Sequence, residues 1–194
     1  MLPEQIEIEL KTLLTYEEYQ RCIDYWQLHA EQAFTQSNSY FDTPDFKLKN
    51  LGCGLRIRTL AEQAELTLKT PLAEGLLETT DHYSLAEIKP YLKQKTIPRQ
   101  GAVAEKLQTL GIELDELRLL AELTTKRYQF NLEIGEIALD ESWYHHQHDY
   151  ELELEVADYN KGKLAFEKLC QQLAITYKPA TNKIARAFQA YGLS

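Results

Sequence analysis

The sequence predicts an α+β protein built round a mostly antiparallel sheet. Three observations carry this. Strand-like segments follow one another through turns too short for the crossover that parallel pairing needs. Helical segments stand after the first strand, in the middle and at the end of the chain rather than after every strand. Every strand with clear alternation puts apolar residues on one face and acids or bases on the other.

The first strand is predicted at 5–13. Glu7, Glu9 and Lys11 alternate there with Ile6, Ile8 and Leu10. Thr15 followed by Glu18 reads as a capping box, and Tyr19, Cys22, Ile23 and Trp26 then share one helical face. Strands follow at about 33–42, 53–60, 64–70 and 76–83, separated by turns such as Asn50-Leu51-Gly52 and Pro71-Leu72-Ala73. Short helices are expected at 84–92 and 99–110, then strands at 117–133, 135–144 and 149–157. Two helices end the chain, at 160–174 and 181–192, with Asn160 and Thr181 as N-caps. Neither linker nor repeat interrupts this order, so the 194 residues read as one domain, 1–194.

Composition narrows the function. A net charge of -9 argues against a general nucleic-acid binder. There is no run of about 18 apolar residues, so no membrane-spanning helix is expected, and no signal peptide is visible. Cys22, Cys53 and Cys170 are scattered, odd in number and without a CxxC pair. They fit reduced thiols in a cytoplasmic protein.

The charged faces are the informative part. Arg56 and Arg58 oppose Leu55 and Ile57. Glu65, Thr67 and Lys69 oppose Leu66 and Leu68. Asp140 opposes two aliphatic residues, and Glu151, Glu153 and Glu155 oppose Leu152, Leu154 and their neighbours. Such faces could simply meet solvent. Alternatively the sheet closes into a barrel, with amphipathic helices covering an apolar outside and the charges lining the inside. The concentration of Glu, Arg and Lys, with little Ser, Asn or Gln, favours the second arrangement.

A lumen of this kind would bring together Lys11, Arg56, Arg58, Lys69 and Arg127 with Glu7, Glu9, Asp140, Glu151, Glu153 and Glu155. Converging cations suit a polyanion, and arginine forks suit phosphate. The carboxylates make sense beside such a ligand if they hold a hard divalent cation, Mg²⁺ or Mn²⁺. Glu18, Glu105 and Glu133 are read as surface residues, and Trp26 and Trp143 as packing residues. The run His145-His146-Gln147-His148-Asp149 is read as a polar hairpin turn rather than a metal site. Lys89, Lys93, Lys95 and Arg99 are read as a solvated connection.

The Glu7-x-Glu9-x-Lys11 signature resembles the CYTH superfamily, the triphosphate tunnel metalloenzymes. The resemblance runs on through Tyr40-Phe41-Asp42-Thr43, Leu55-Arg56-Ile57-Arg58, Leu66-Thr67-Leu68-Lys69, Thr125-Lys126-Arg127, the Glu151/Glu153/Glu155 strand and Lys183. It implies an eight-stranded antiparallel barrel with helices on the outside, hydrolysing triphosphates with Mg²⁺ or Mn²⁺. By that resemblance Glu7 and Glu9 match the first metal-binding acids, and Glu153 and Glu155 the late pair, with Glu151 on the same face. Lys11, Arg56, Arg58, Lys69 and Arg127 match the phosphate-gripping bases, and Lys183 matches a C-terminal lysine at a helix start that itself favours anions. Glu78 and Asp140 would orient the bases. In some family members a lysine two residues before the position of Arg127 helps to activate water; this chain has Thr125 there. The expected partner is a small triphosphate-containing molecule, not nucleic acid or membrane, and the expected assembly is a monomer or homodimer. Two other functions stay open: an adenylate cyclase making cAMP from ATP, and a non-catalytic binder of polyphosphate or a nucleotide.

Overall fold

The computed structural model describes residues 4–193. Nine strands form one sheet, and every pairing in it is antiparallel. They are β1 (Glu4–Glu7), β2 (Glu9–Leu14), β3 (Phe34–Asp42), β4 (Gly54–Thr59), β5 (Gln63–Pro71), β6 (Leu76–Ser84), β7 (Arg118–Leu132), β8 (Gly135–Tyr144) and β9 (Gln147–Glu155). The spatial order is β1-β6-β5-β4-β3-β7-β8-β9-β2. The two edge strands are therefore consecutive in the chain. The predicted first strand is broken at Ile8, so that its first half pairs with β6 and its second half with β9. In place of the eight-stranded barrel expected, the chain forms a curled nine-stranded sheet whose two edge strands are the halves of that one segment, joined at Ile8. The Ile8 carbonyl is not wasted at the break, because it accepts from Val156 N at 2.9 Å.

Four of the helices cover the outside. Those are α1 (Tyr16–Trp26), α3 (Leu85–Gln94), α4 (Ala102–Thr109) and α5 (Tyr159–Gln172); a short α2 (Lys47–Asn50) and a final α6 (Lys183–Ala190) complete the set. On one half, Tyr19, Cys22, Phe166 and Leu169 of α1 and α5 pack on Tyr128, Ile137, Leu139, Leu152 and Leu154. On the other, Ile88, Val103 and Leu107 of α3 and α4 pack on Leu55, Ile57, Leu66 and Leu68. Each such aliphatic side chain contributes roughly 1.5–3 kcal/mol by leaving water. The apolar parity that marked these strands is thus the outer face, and the charged parity is the inner one.

The last helix, α6, is placed differently. Its Ala187 and Phe188 pack with Tyr40, Ala121 and Leu123, and these three share the inward parity of Asn38 and Arg127. Gly54 lies on the same inner face as Arg56. A Cβ at Gly54 would collide with Ile184 Cδ1. The helix therefore sits across one end of the hollow instead of on the outer wall.

Several local expectations shift. The 3-residue spacing of the N-cap bond puts the α5 cap at Asp158, not Asn160, and the α6 cap at Asn182, not Thr181. The stretch before β4, expected as a turn, contains α2, whose amides are capped by Asp42. Glu18 is not a surface residue. It is 6% exposed, and it joins α1 to the segment before α6 through Thr15 N (2.7 Å), Thr176 N (3.0 Å) and Lys178 Nζ (2.8 Å). Trp143 is 40% exposed and stacks on His148 instead of packing inward. His145 and His146 form the β8–β9 turn, as expected.

Candidate active site

A cavity of about 360 Å³ lies inside the curled sheet. The structure brings most of the predicted site residues to its wall. Glu7, Glu9, Lys11, Arg56, Arg58, Lys69, Arg127, Glu153, Glu155 and Lys183 all line it. All but Lys183, which α6 delivers, arrive there because each strand contributes alternate residues to the inner face and cross-strand register sets them side by side. Glu9 stands opposite Glu155, Lys11 opposite Glu153, Lys69 opposite Glu78 and Arg127 opposite Asp140. Asp140 and Glu151 do not line the cavity. They lie behind its wall with no solvent exposure.

One region of the wall carries more positive charge than its neighbours compensate. The Arg58 Nε donates to Asn38 Oδ1 at 3.2 Å, and its nearest carboxylate, Glu65, is 4.0 Å away. Burial, then the charges of Arg56 and Arg127, push Arg58 down to about 9. Arg56 reaches Glu78 only at 3.7 Å. Lys69 is better matched, with Glu78 at 2.6 Å and an ion pair to Glu7. Two buried arginines short of counter-charge form a demand for an anion.

Behind this wall lies a compensated network. Arg127 forks onto Asp140 through Nε–Oδ1 (2.7 Å) and Nη2–Oδ2 (2.6 Å), and it also reaches Glu153 Oε2 at 2.6 Å. Lys183 Nζ touches Asp140 Oδ2 (2.8 Å), Glu151 Oε2 (2.5 Å) and Glu153 Oε1 (2.5 Å). Burial works against the charge on Arg127, but Asp140 and Glu153 hold its pKa well above the ordinary value. Burial likewise opposes the charge on Glu153, and Lys183, Arg127 and Lys11 outweigh it. Asp140, Glu151 and Glu153 are the one group of three acids spaced for a metal among the described residues. Both oxygens of each are engaged by these cations and by Arg186.

The acids at the other side outnumber their cations: Glu7 pairs with Lys69, which Glu78 also holds, Glu9 pairs with Lys11, and Glu155 has no ion-pair partner among the described residues. Burial raises the pKa of Glu7, and Glu9 and Glu78 add to the rise while Lys69 opposes it. Burial raises Glu155 too, helped by Glu7, Glu136 and Glu78. Glu7, Glu9 and Glu155 all offer carboxylate oxygens to the cavity, the donor type a hard divalent cation takes, although they are not drawn together round one point as Asp140, Glu151 and Glu153 are. Glu7, Glu9 and Glu155 are the residues that would hold it.

Some residues of the cavity wall and its surroundings were not visible as such in the strand pattern. Gln36, Asn38, Lys49, Gln129 and Glu136 also line the cavity. Gln129 and Glu136 are joined at 2.7 Å at the acidic side. Parity could have found Gln129 and Glu136, which are even steps from Arg127 and Asp140, but no residue of β3 had been placed inward to orient Gln36 and Asn38. Lys49 comes from α2 and Arg186 from α6, where no strand rule applies. Thr125 is fully buried and its hydroxyl is 3.0 Å from that of Ser142. Lys126 points outward, over the ring of Tyr128 at 5.5 Å.

Taken together, a curled antiparallel sheet round a cavity, with bases and acids along its wall and a C-terminal helix delivering a lysine, defines an α+β protein with a charged cavity inside its sheet. The chain belongs to the CYTH domain family, whose profile matches residues 5–188. It is 39% identical over 188 residues to the Bacillus subtilis (strain 168) protein named "Putative triphosphatase YjbK", with 97% of each chain covered. The crystal structure of "a putative adenylate cyclase" from Bacillus halodurans superposes with a TM-score of 0.91 at 35% identity, over 96% of this chain and 100% of that one. A Hippeastrum protein, described as a "putative adenylyl cyclase" that reveals a dominant triphosphatase activity, shares the fold. It has a TM-score of 0.72 at 22% identity, covering 95% and 96% of the two chains. No helix among the described residues is long and apolar enough to cross a membrane.

Proposed function

We propose that the protein is a divalent-metal-dependent triphosphatase, acting on inorganic triphosphate or a small organic triphosphate. The observation that carries this reading is the separation of unmet charge in one cavity. Arg56 and Arg58 lack close anions, while Glu155 has no ion-pair partner among the described residues and Glu7 shares its one cation, Lys69, with Glu78. A phosphate chain bridging a metal ion and these arginines satisfies both at once. The similarity to YjbK supports the same reading.

In this account Arg56, Arg58, Lys69, Lys11, Arg127 and Lys183 grip the phosphate oxygens. The two arginines of β4 are on one face two residues apart, so they meet successive phosphates. Lys11 stands between Glu9 and Glu153, where it links the acid side to the base side. Asp140 and Glu78 hold Arg127 and Lys69 in place. When Mg²⁺ or Mn²⁺ is bound by Glu7, Glu9 and Glu155, it supplies charge neutralisation at the reacting phosphoryl group. The bases align the chain so that water attacks terminal phosphorus, the bridging P–O bond breaks, and the charge that develops is met by cations already in position.

A second reading is an adenylate cyclase, favoured by the similarity to the Bacillus halodurans protein, which carries that description. One assay separates the two. Incubation with ATP and Mg²⁺ or Mn²⁺ is expected to release phosphate without cAMP. Formation of cAMP and pyrophosphate would replace the triphosphatase reading with the cyclase. Tight binding of tripolyphosphate without turnover, in either metal, would replace it with the non-catalytic binder.

A further inference from the structure

Arg186 lies one helical turn after Lys183 in α6 and is 9% exposed. Its guanidinium forks onto the fully buried Glu151, with Nη1–Oε1 at 3.1 Å and Nη2–Oε2 at 2.9 Å. Its Nε reaches Asp149 Oδ2 at 3.1 Å, and Nη1 also donates to the Thr181 carbonyl at 2.5 Å. Arg186 is not on the cavity wall; Lys183 is. The two cations share one acid, because Lys183 Nζ also touches Glu151 Oε2.

We propose that Arg186 is a positioning residue for the cavity. By occupying both oxygens of Glu151 it keeps the Lys183 ammonium available on the side of Asp140 and Glu153, where it can meet a phosphate. This rests on the reading of the cavity as a triphosphate site. The reason is competition inside a low-dielectric interior. A buried carboxylate must be neutralised, and attraction there is strong. With Arg186 present, Glu151 is neutralised by a rigid planar fork. Without it, Lys183 would be the only described cation in contact with Glu151. Lys183, already at 2.5 Å from Glu151 Oε2, would then have to neutralise that acid alone, and its ammonium would be held there against the pull of a phosphate in the cavity. The bond to Thr181 adds a second effect. It ties down the residue just before Asn182 and Lys183, and so fixes the end of the helix that faces the cavity.

The test is steady-state hydrolysis of tripolyphosphate, with direct binding of tripolyphosphate by calorimetry, for Arg186→Met, Arg186→Lys and the double variant Arg186→Met/Glu151→Gln. Melting curves confirm that each is folded. Withdrawal of one charged contact from the substrate is expected to raise KM and Kd about tenfold in Arg186→Met, with kcat changed much less. The lysine variant should recover part of the loss. The double variant should also recover part of it, because the neutral amide no longer holds the Lys183 ammonium. A purely structural role predicts lower melting temperatures with no KM-specific change, and a double variant no better than the single. Either result in folded protein overturns the inference while leaving the triphosphatase reading intact. If the wild type releases no phosphate, that reading fails. The binding measurements then decide the inference alone, and absence of tripolyphosphate binding by the wild type overturns it too.

Discussion

Arg127 and Asp140 are cross-strand partners in the β7–β8 register, and their side chains meet in a two-point fork at 2.7 and 2.6 Å. Asp140 has no exposure and also accepts from Lys183. One carboxylate thus neutralises two cations that line the cavity. Asp140→Asn should leave both under-compensated, and breaking a buried pair by removing one partner costs about 3 kcal/mol or more. Urea unfolding should show that loss, and tripolyphosphate hydrolysis should fall with it. Unchanged stability would mean that water reaches this network.

Arg58 should behave in the opposite way. Its burial and its arginine neighbours push its pKa down to about 9, with only a distant carboxylate to offset them. The charge is a burden on the unliganded fold and an asset to the bound anion. Arg58→Ala is expected to melt at or above the wild-type temperature while kcat/KM falls by roughly 10²–10³. Such a trade of stability for function is expected where a site holds unmet charge. A marked drop in melting temperature would show instead that Arg58 is held mainly for structure.

Glu9 is expected to act on metal affinity. It lines the cavity, pairs with Lys11 and stands opposite Glu155. In Glu9→Gln the Mg²⁺ or Mn²⁺ concentration giving half-maximal activity should rise by roughly 10–100-fold, with the fold retained. A variant whose metal dependence matches the wild type would remove Glu9 from the metal set.

Glu18 gives a pH dependence away from the cavity. Burial alone would raise its pKa, but the Lys178 ammonium and the Thr15 and Thr176 amides pull it from 4.5 down to about 2. A carboxyl depressed on folding stabilises the protein above its unfolded pKa and loses that contribution as pH falls through the folded one. Glu18→Gln should therefore cost about 2 kcal/mol at neutral pH. The gap from the wild type should close as pH falls from 4.5 toward 2. A gap that stays constant with pH would assign the effect to lost packing.

Much of this arrangement was legible in the sequence because strand parity is a strict rule. It placed Glu7, Glu9, Lys11, Arg56, Arg58 and Lys69 on one face, and that face proved to be the inner one. It also set Lys126 outward. What parity could not supply was anything decided between elements. The break at Ile8 lets one segment close both edges of the sheet, and alternation continues through it unchanged. Lys49 reaches the cavity from a four-residue helix positioned by Asp42. Arg186 reads as an ordinary basic residue of an amphipathic helix until α6 is seen to face inward. The partition of the acids was hidden for the same reason. Glu151 and Glu155 share a strand face, yet Glu151 is neutralised by Arg186 and Lys183 while Glu155 faces other carboxylates.

The central claim is that the cavity hydrolyses triphosphate using a divalent metal. The most direct measurement is phosphate release from tripolyphosphate by the purified protein, in Mg²⁺ or Mn²⁺ and again after chelation. Metal-dependent release that stops on chelation and returns on adding metal is the predicted result. Folded protein that releases no phosphate in either metal, or that releases it equally well after chelation, would contradict the account.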